Sequence, residues 1–355
     1  MARTPNRSPH IAPNATIRDV AARAGVSVAT VSRVFNQKGP VREETLRRVM
    51  DVAGEMQYVP HAGARSLSTR STHAIGVLLP ELHGEFFSEV IRGIDVAARQ
   101  RGYHILVSGS HSDAEEMSAM LRTLRGRVDG LVVMSPDLGL GPLSRALGNE
   151  PVVLLNTAAS GRRTIRIDNC DGARTMTEHL LALGHRRIAF ITGPERNADA
   201  AERRRGYRDG LGTRVAKAIE IGGDFTEDSG YRAVPAILAK EPRPTAIFAA
   251  NDAMAIGALR ALREAQIRVP EQIALAGFDD IPIARYLTPP LTTVRVEIAE
   301  LGRRAVDHLV KTIETGTESG KKHDLIATTL VIRESCGAQL AGERKTNLSK
   351  RSASR

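Results

Sequence analysis

A guanidinium can donate two parallel hydrogen bonds to a matching pair of acceptors. Arg33 lies in a run suited to present one. From Val28 to Asn36, Val31 and Val34 fall on one helical face, while Val28, Ala29, Ser32 and Arg33 fall on the other. Val28 and Ala29 offer only short apolar surface beside it.

These residues need a helix held at a fixed angle, and the flanking sequence supplies one. Ser27 stands where a helix cap is required. Upstream, Thr16 caps a first helix, with Asp19 three residues on to reach back in a capping box. Ile17, Val20, Ala21 and Ala24 line one face of that helix, and Gly25 provides the left-handed turn that ends it. Two short helices joined by a glycine turn form a helix-turn-helix, whose second helix enters the major groove. A third helix is expected from about 43 to 56, with Leu46, Val49, Met50 and Ala53 closing a small core.

The charge distribution agrees with this. The net charge of +10 sits at the two ends: residues 1–70 hold 11 Lys/Arg against 5 Asp/Glu, and residues 341–355 hold 5 against 1. The stretch between them is balanced. A basic N-terminal module on a neutral body points to a polyanionic partner for that module, whereas the C-terminal tail reads as solvated charge. The two cysteines, Cys170 and Cys336, have no metal-ligand spacing, which implies a reducing cytoplasm and no disulfide framework. The start of the chain has no apolar signal core, and no run of about 18 apolar residues could cross a membrane.

From 73 onward the pattern changes to apolar runs alternating with amphipathic stretches. Strands are expected at 74–80, 103–108, 130–135 and 152–156, with helices at 87–101 and 113–125. A second series has strands at 188–191, 219–222, 245–249 and 273–277 and helices at 171–183, 202–211, 229–240 and 252–265. A helix at 297–315 returns to the first series and a strand at 325–332 to the second. The rhythm predicts an α/β fold: an all-α headpiece, then two lobes of doubly wound parallel sheet. No phosphate-binding glycine loop and no nucleophile elbow occurs. His104, His111, His179 and His185 lack metal spacing. No enzyme activity, metal or cofactor is therefore expected.

The run from Thr16 to Asn36, followed by Tyr58-Val59-Pro60 and Arg65-Ser66-Leu67, resembles the headpiece and hinge of the LacI/GalR family of bacterial regulators. The Val28-Ala29 pair is similar to that of galactose-type members. The body continues the resemblance through Val128-Asp129-Gly130-Leu131, Ile167-Asp168-Asn169, Leu183-Gly184-His185-Arg186-Arg187-Ile188, Asn251-Asp252-Ala253-Met254-Ala255, Gly277-Phe278-Asp279-Asp280 and Arg333-Glu334-Ser335, so that it covers about 16–336. It implies a core like the type I periplasmic sugar-binding proteins, with ligand held between the lobes. It also implies roles for residues. Val28, Ala29 and Arg33 read bases; Thr16, Ser27, Thr30, Ser32 and Asn36 contact phosphates or set position; Leu67 wedges into the minor groove from a hinge helix at 61–68. Arg203, Asn251 and Asp279 hold the ligand, an arginine fork and a carboxylate gripping neighbouring hydroxyls from two sides. Phe86, Phe87 and Phe225 give it an apolar face, and Asn156 a polar edge. Asp199 and Glu202 are weaker candidates. The purine-responsive member has tryptophan where this chain has Thr157, and the chain contains no tryptophan. That favours a sugar or sugar derivative, with a sugar acid or phosphate also compatible with the arginines.

The expected organisation is a tail at 1–14, a DNA-binding domain at 15–60, a hinge and linker at 61–72, an effector core at 73–340 and a basic tail at 341–355. The first lobe spans about 73–166 and 297–324, the second 167–296 and 325–340. The expected function is a ligand-responsive repressor of a carbohydrate-utilisation operon, binding a palindromic double-stranded operator as a homodimer in the cytoplasm, at the nucleoid when bound. Leu340 and Leu348 form no heptad that would build a tetramer. The competing reading is a small-molecule-binding protein with an incidental N-terminus, against which the headpiece weighs.

Overall fold

The computed structural model describes residues 15–36, 39–58, 71–111, 113–136, 147–148, 150–157, 162–214, 218–317 and 323–339. They fall into two compact units, Met1–Thr72 and His73–Arg355. The expected hinge helix with Leu67 and the two tails lie outside the described residues.

In the first unit, α1 (Ile17–Ala24), α2 (Val28–Asn36) and α3 (Glu43–Glu55) enclose a small core. Both halves of the capping box are present. Thr16 Oγ1 accepts from the Asp19 amide, and the Asp19 carboxylate accepts from the Thr16 amide at 2.8 Å. Gly25 takes φ 64° and closes α1. The core consists of Val20, Ala21, Ala24, Val31, Val34, Val49 and Ala53, with Phe35 edge-on to Tyr58 beside it. Leu46 and Met50, expected in this core, are instead 41% and 50% exposed. Helices that meet through alanine and valine enclose little volume. They cover only one stripe of α3, that of Val49 and Ala53.

The second unit holds two six-stranded sheets. The first has β1 (Ala74–Leu79), β2 (His104–Gly109), β3 (Gly130–Met134), β4 (Val152–Leu155), β5 (Arg163–Ile167) and β11 (His323–Ile326). They are all parallel, in the order β11-β5-β4-β3-β1-β2. The second has β6 (Ile188–Ile191), β7 (Ile219–Ile221), β8 (Ala246–Ala249), β9 (Ala274–Asp279), β10 (Thr292–Val296) and β12 (Thr328–Val331), in the order β12-β10-β9-β8-β6-β7. Only β12 runs antiparallel to its neighbour. Among the described residues the helices are α4 (Glu85–Gln100), α5 (Ala114–Leu124), α6 (Asn169–Ala182), α7 (Ala198–Leu211), α8 (Glu227–Leu238), α9 (Asp252–Glu264) and α10 (Ile298–Thr315).

Three differences from expectation matter. The single strand expected at 325–332 in the second lobe is two strands separated by one residue, and Leu325 and Ile326 belong to the first sheet. Strands β5 and β10 were not foreseen. Helix α7 starts four residues early, where Asn197 caps it by accepting from the Ala200 amide at 3.0 Å. The chain thus passes between the sheets after β5, after β10 and after β11.

Helices α8 and α9 touch backbone to backbone. A Cβ on Gly257 would overlap the Glu227 carbonyl, and one on Gly230 the Met254 carbonyl. Gly257→Ala should therefore force the helices apart and cost about 1–3 kcal/mol. Gly54→Ala, which meets nothing within 4 Å on α3, should be neutral or slightly stabilising. Thermal melts of both variants check this; equal melting points would contradict the close approach.

Candidate functional site

Two sites follow, one in each unit. On the first, α2 turns Val31 and Val34 inward and leaves Val28 (42% exposed), Ala29 and Arg33 facing water. Among the described residues Arg33 makes no hydrogen bond or ion pair. The polar candidates are engaged locally. Ser27 Oγ accepts from the Thr30 amide at 3.1 Å and meets Thr30 Oγ1 at 2.9 Å. Asn36 Nδ2 donates to Ser32 Oγ at 3.1 Å, and Thr16 caps α1. These contacts shape the helices, whereas the Arg33 side chain is exposed.

On the second unit, Phe86, Phe87, Asn156, Arg203, Phe225, Asn251 and Asp279 all line one cleft of about 440 Å³ between the lobes. It lies at the carboxyl ends of the strands, where doubly wound sheets present their ligand sites. Asn156 directly follows β4, Asp279 ends β9, and Asn251 lies between β8 and α9. The lobes are bridged beside it. Glu85 Oε2 accepts from the Ile283 amide at 2.9 Å, and the Pro136 carbonyl from the Ala198 amide at 3.2 Å. Three of the seven residues have left-handed backbone, at φ 48° for Asn156, 72° for Phe225 and 108° for Asp279. Non-glycine residues held there cost about 1–3 kcal/mol each, a strain commonly found at functional sites.

Arg203 organises the floor of the cleft. It is 3% exposed, and its guanidinium lies 3.9 Å from the centroid of the Phe278 ring. Nε donates to Asn169 Oδ1 at 2.8 Å and Nη1 to the Ala250 carbonyl at 2.6 Å. Nη2 forms an ion pair with Asp279 Oδ1 at 2.9 Å, and among the described residues that oxygen makes no further polar contact. Asn169 Nδ2 donates in turn to Asp199 Oδ1 at 2.8 Å. Burial raises the Asp199 carboxyl to about 7 and that of Asp279 to about 6, in each case against the pull of Arg203. Asn156 Oδ1, 2% exposed as a residue, has no hydrogen-bond partner among the described residues.

Asp199 lines the cleft, but Glu202 does not; it pairs with Arg166 of β5. Asn251 faces the cleft with both polar atoms engaged, Oδ1 capping α9 through the Met254 amide and Nδ2 donating to the Phe225 carbonyl. Thr157 is a turn residue, donating to the Leu155 carbonyl and accepting from the Ser135 amide. Asn169 was missed as a functional residue, although it closes the Ile167-Asp168-Asn169 motif. Its spacing gave no sign that a helix 30 residues on would bring Arg203 against it.

The motif around Asp279 has a reason at each position. A Cβ on Gly277 would overlap Asp252 Oδ1, and Phe278 lies against the guanidinium. Asp279 meets Arg203, and Asp280 is clamped by Arg295 at 2.6 Å and Arg333 at 2.7 Å.

Residues 16–61 match the model described as bacterial regulatory proteins, lacI family, and residues 177–336 the periplasmic binding protein-like domain. The ribose operon repressor of Escherichia coli (strain K12) is 37% identical over 311 residues, 85% of this chain and 94% of that protein. The HTH-type transcriptional regulator GalS of Salmonella typhimurium is 39% identical, over 82% of this chain and 88% of that protein. Among solved structures, the lac repressor dimer bound to operator and the anti-inducer ONPF aligns with a TM-score of 0.82 at 32% identity, covering 91% of this chain and 99% of that one. With a headpiece and a two-lobed cleft in one chain and relatives matched over nearly their whole length, the protein belongs to the lacI family of bacterial regulatory proteins.

Proposed function

We propose that the chain is a cytoplasmic repressor of a carbohydrate-utilisation operon. It binds a palindromic operator as a homodimer, at the nucleoid, and is switched by a small sugar-like effector held in the cleft. It is a regulator, not an enzyme. Val28, Ala29 and Arg33 read bases, with Thr16, Ser27, Thr30, Ser32 and Asn36 fixing the register on the phosphates and Leu67 wedging the minor groove. The effector contacts are Phe86, Phe87, Asn156, Phe225, Asn251, Asp279 and Arg203. The observation that carries this reading is the pair of sites: an arginine on an exposed second helix with no partner among the described residues, and a cleft lined by Asn156, whose buried Oδ1 lacks a donor among them. No helix among the described residues is long and apolar enough to cross a membrane.

A ligand between the lobes changes operator affinity only if it favours one lobe arrangement over another. The coupling is expected at about 1–3 kcal/mol, a 5- to 150-fold change. The test is selection of bound duplexes from a random pool, followed by anisotropy titrations with and without sugars. Enrichment of two inverted half-sites, a dimer by light scattering and a ligand-dependent Kd support the reading. A single half-site, or an operator Kd insensitive to every compound that shifts the melting point, overturns it. Asn156→Ala should weaken the ligand response about 5- to 150-fold and leave ligand-free operator binding unchanged, because Asn156 lines the cleft and its Oδ1 has no hydrogen-bond donor among the described residues. An unaltered ligand response would remove Asn156 from the site.

A further inference from the structure

The polar groups of the cleft are unevenly used. Its strongest donor is turned toward the protein: Arg203 spends Nε on Asn169 and Nη1 on Ala250 and pairs Nη2 with Asp279, and the Asn251 amide goes to the Phe225 carbonyl. Its acceptors are less well met. Among the described residues Asn156 Oδ1 has no hydrogen-bond donor and Asp279 Oδ1 has only the ion pair with Arg203, in residues 2% and 4% exposed. Carboxyl groups also outnumber basic side chains along the described lining. Beside the Arg203 guanidinium stand two buried carboxyl groups, Asp199 and Asp279. Nearer the mouth, the described lining adds Glu81, Glu85, Asp224 and Glu227. Such a site is poorly built for a carboxylate or phosphate, which would bring more acceptors and more negative charge to a cleft already lined by carboxyl groups.

We propose that the cleft selects a small polyhydroxylated ligand carrying a protonated amino group, an amino sugar or amino polyol, with Asp199 reading the charge. An ammonium group is donor-only and cationic, so it answers both imbalances at once, while a hydroxyl answers the first alone. Phe86, Phe87 and Phe225 supply an apolar wall for the carbon face of such a ligand. The inference rests on the cleft being the effector site and narrows what enters it.

Asp199 is faced by Arg203, Glu202, Arg166 and Asp279, and burial dominates them, so its carboxyl holds a proton up to about 7. Entry of a cation favours the carboxylate and expels that proton.

The test uses the full-length protein and a thermal-shift panel of D-glucosamine, D-galactosamine and 1-amino-1-deoxy-polyols, each beside its neutral parent, with gluconate and ribose 5-phosphate as anions. Calorimetry of the binders follows at about pH 6.5 in buffers of different ionisation enthalpy. The amino compounds should bind at least about tenfold tighter than their parents and release protons on binding. Asp199→Asn should abolish both the preference and the proton release. Equal or tighter binding of neutral parents or anions overturns the amine and leaves the cleft reading standing. No shift from any compound overturns both. Preference without proton release, or preference retained in Asp199→Asn, removes Asp199 from the role.

Discussion

Arg203→Ala should lower the melting temperature of the full-length protein by about 6–20 °C, with a larger loss at about pH 8 than at about pH 5. Reading Arg203 from sequence as a ligand-gripping fork would make this variant a clean loss of ligand binding. The geometry predicts more than that, because Nε, Nη1 and Nη2 each hold a protein group as well. Its removal strips donors from Asn169 Oδ1 and the Ala250 carbonyl, leaves Asp279 and Asp199 buried without a counter-charge, and empties the space against Phe278. Breaking a buried ion pair from one side costs about 3–5 kcal/mol. At roughly 2–4 °C per kcal/mol for a domain of this size, that gives the range above. The sign with pH follows from the two carboxyls. Their folded pKa values, about 7 and about 6, already lie above the ordinary 3.8, so their contribution is most favourable below 3.8 and is lost as pH rises through the folded values. Arg203 holds both values down. Without it they rise further, and the window in which stability is lost widens upward. Melts of wild type and variant at the two pH values decide the matter. A deficit that is small, or the same at both, would mean that water entering the cleft replaces the guanidinium.

Much of this site could be read from the sequence because strand ends and helix starts are marked locally. Asn156, Asn251 and Asp279 each follow an apolar run directly, and a parallel sheet delivers such positions to one edge. What could not be read depended on partners far along the chain. Strand β5 carries Arg163 and Arg166 and strand β10 carries Arg295, charges that locally argue against a buried strand. They are tolerated because α7 brings Glu202 to Arg166 and the turn after β9 brings Asp280 to Arg295. The split of 325–332 between two sheets has the same origin. Its composition is uniform, and only the neighbouring strands β5 and β10 decide where one sheet ends and the other begins. In the headpiece the hydrophobic spacing of α3 was legible, but its core volume was not. Leu46 and Met50 therefore looked like core and lie outside it.

Arg33→Ala should cost about 1–3 kcal/mol of operator affinity through one base pair of each half-site, and relax the preference at that position alone. The argument begins with α2. Ser27 fixes its start, and Val31 and Val34 fix its rotation by packing against α1 and α3. With those anchors set, Val28, Ala29 and Arg33 have one direction in which to point, and the first two are too short to hydrogen-bond anything. A long, exposed guanidinium beside short apolar neighbours can reach past them to a base edge, where guanine O6 and N7 match its two donors. A phosphate contact by the same residue would give a different pattern. Affinity would then fall about equally on all duplexes, and the salt dependence of log K would shallow by about one unit of slope, because one fewer counterion is released. Base readout leaves the slope nearly unchanged and makes the loss depend on sequence. The measurement is therefore a set of anisotropy titrations of wild type and Arg33→Ala against duplexes varied one base pair at a time, each repeated across a salt series. A penalty confined to one position at constant slope assigns Arg33 to base reading. A uniform penalty with a shallower slope assigns it to the backbone and leaves Val28 and Ala29 as the only direct readers on this helix.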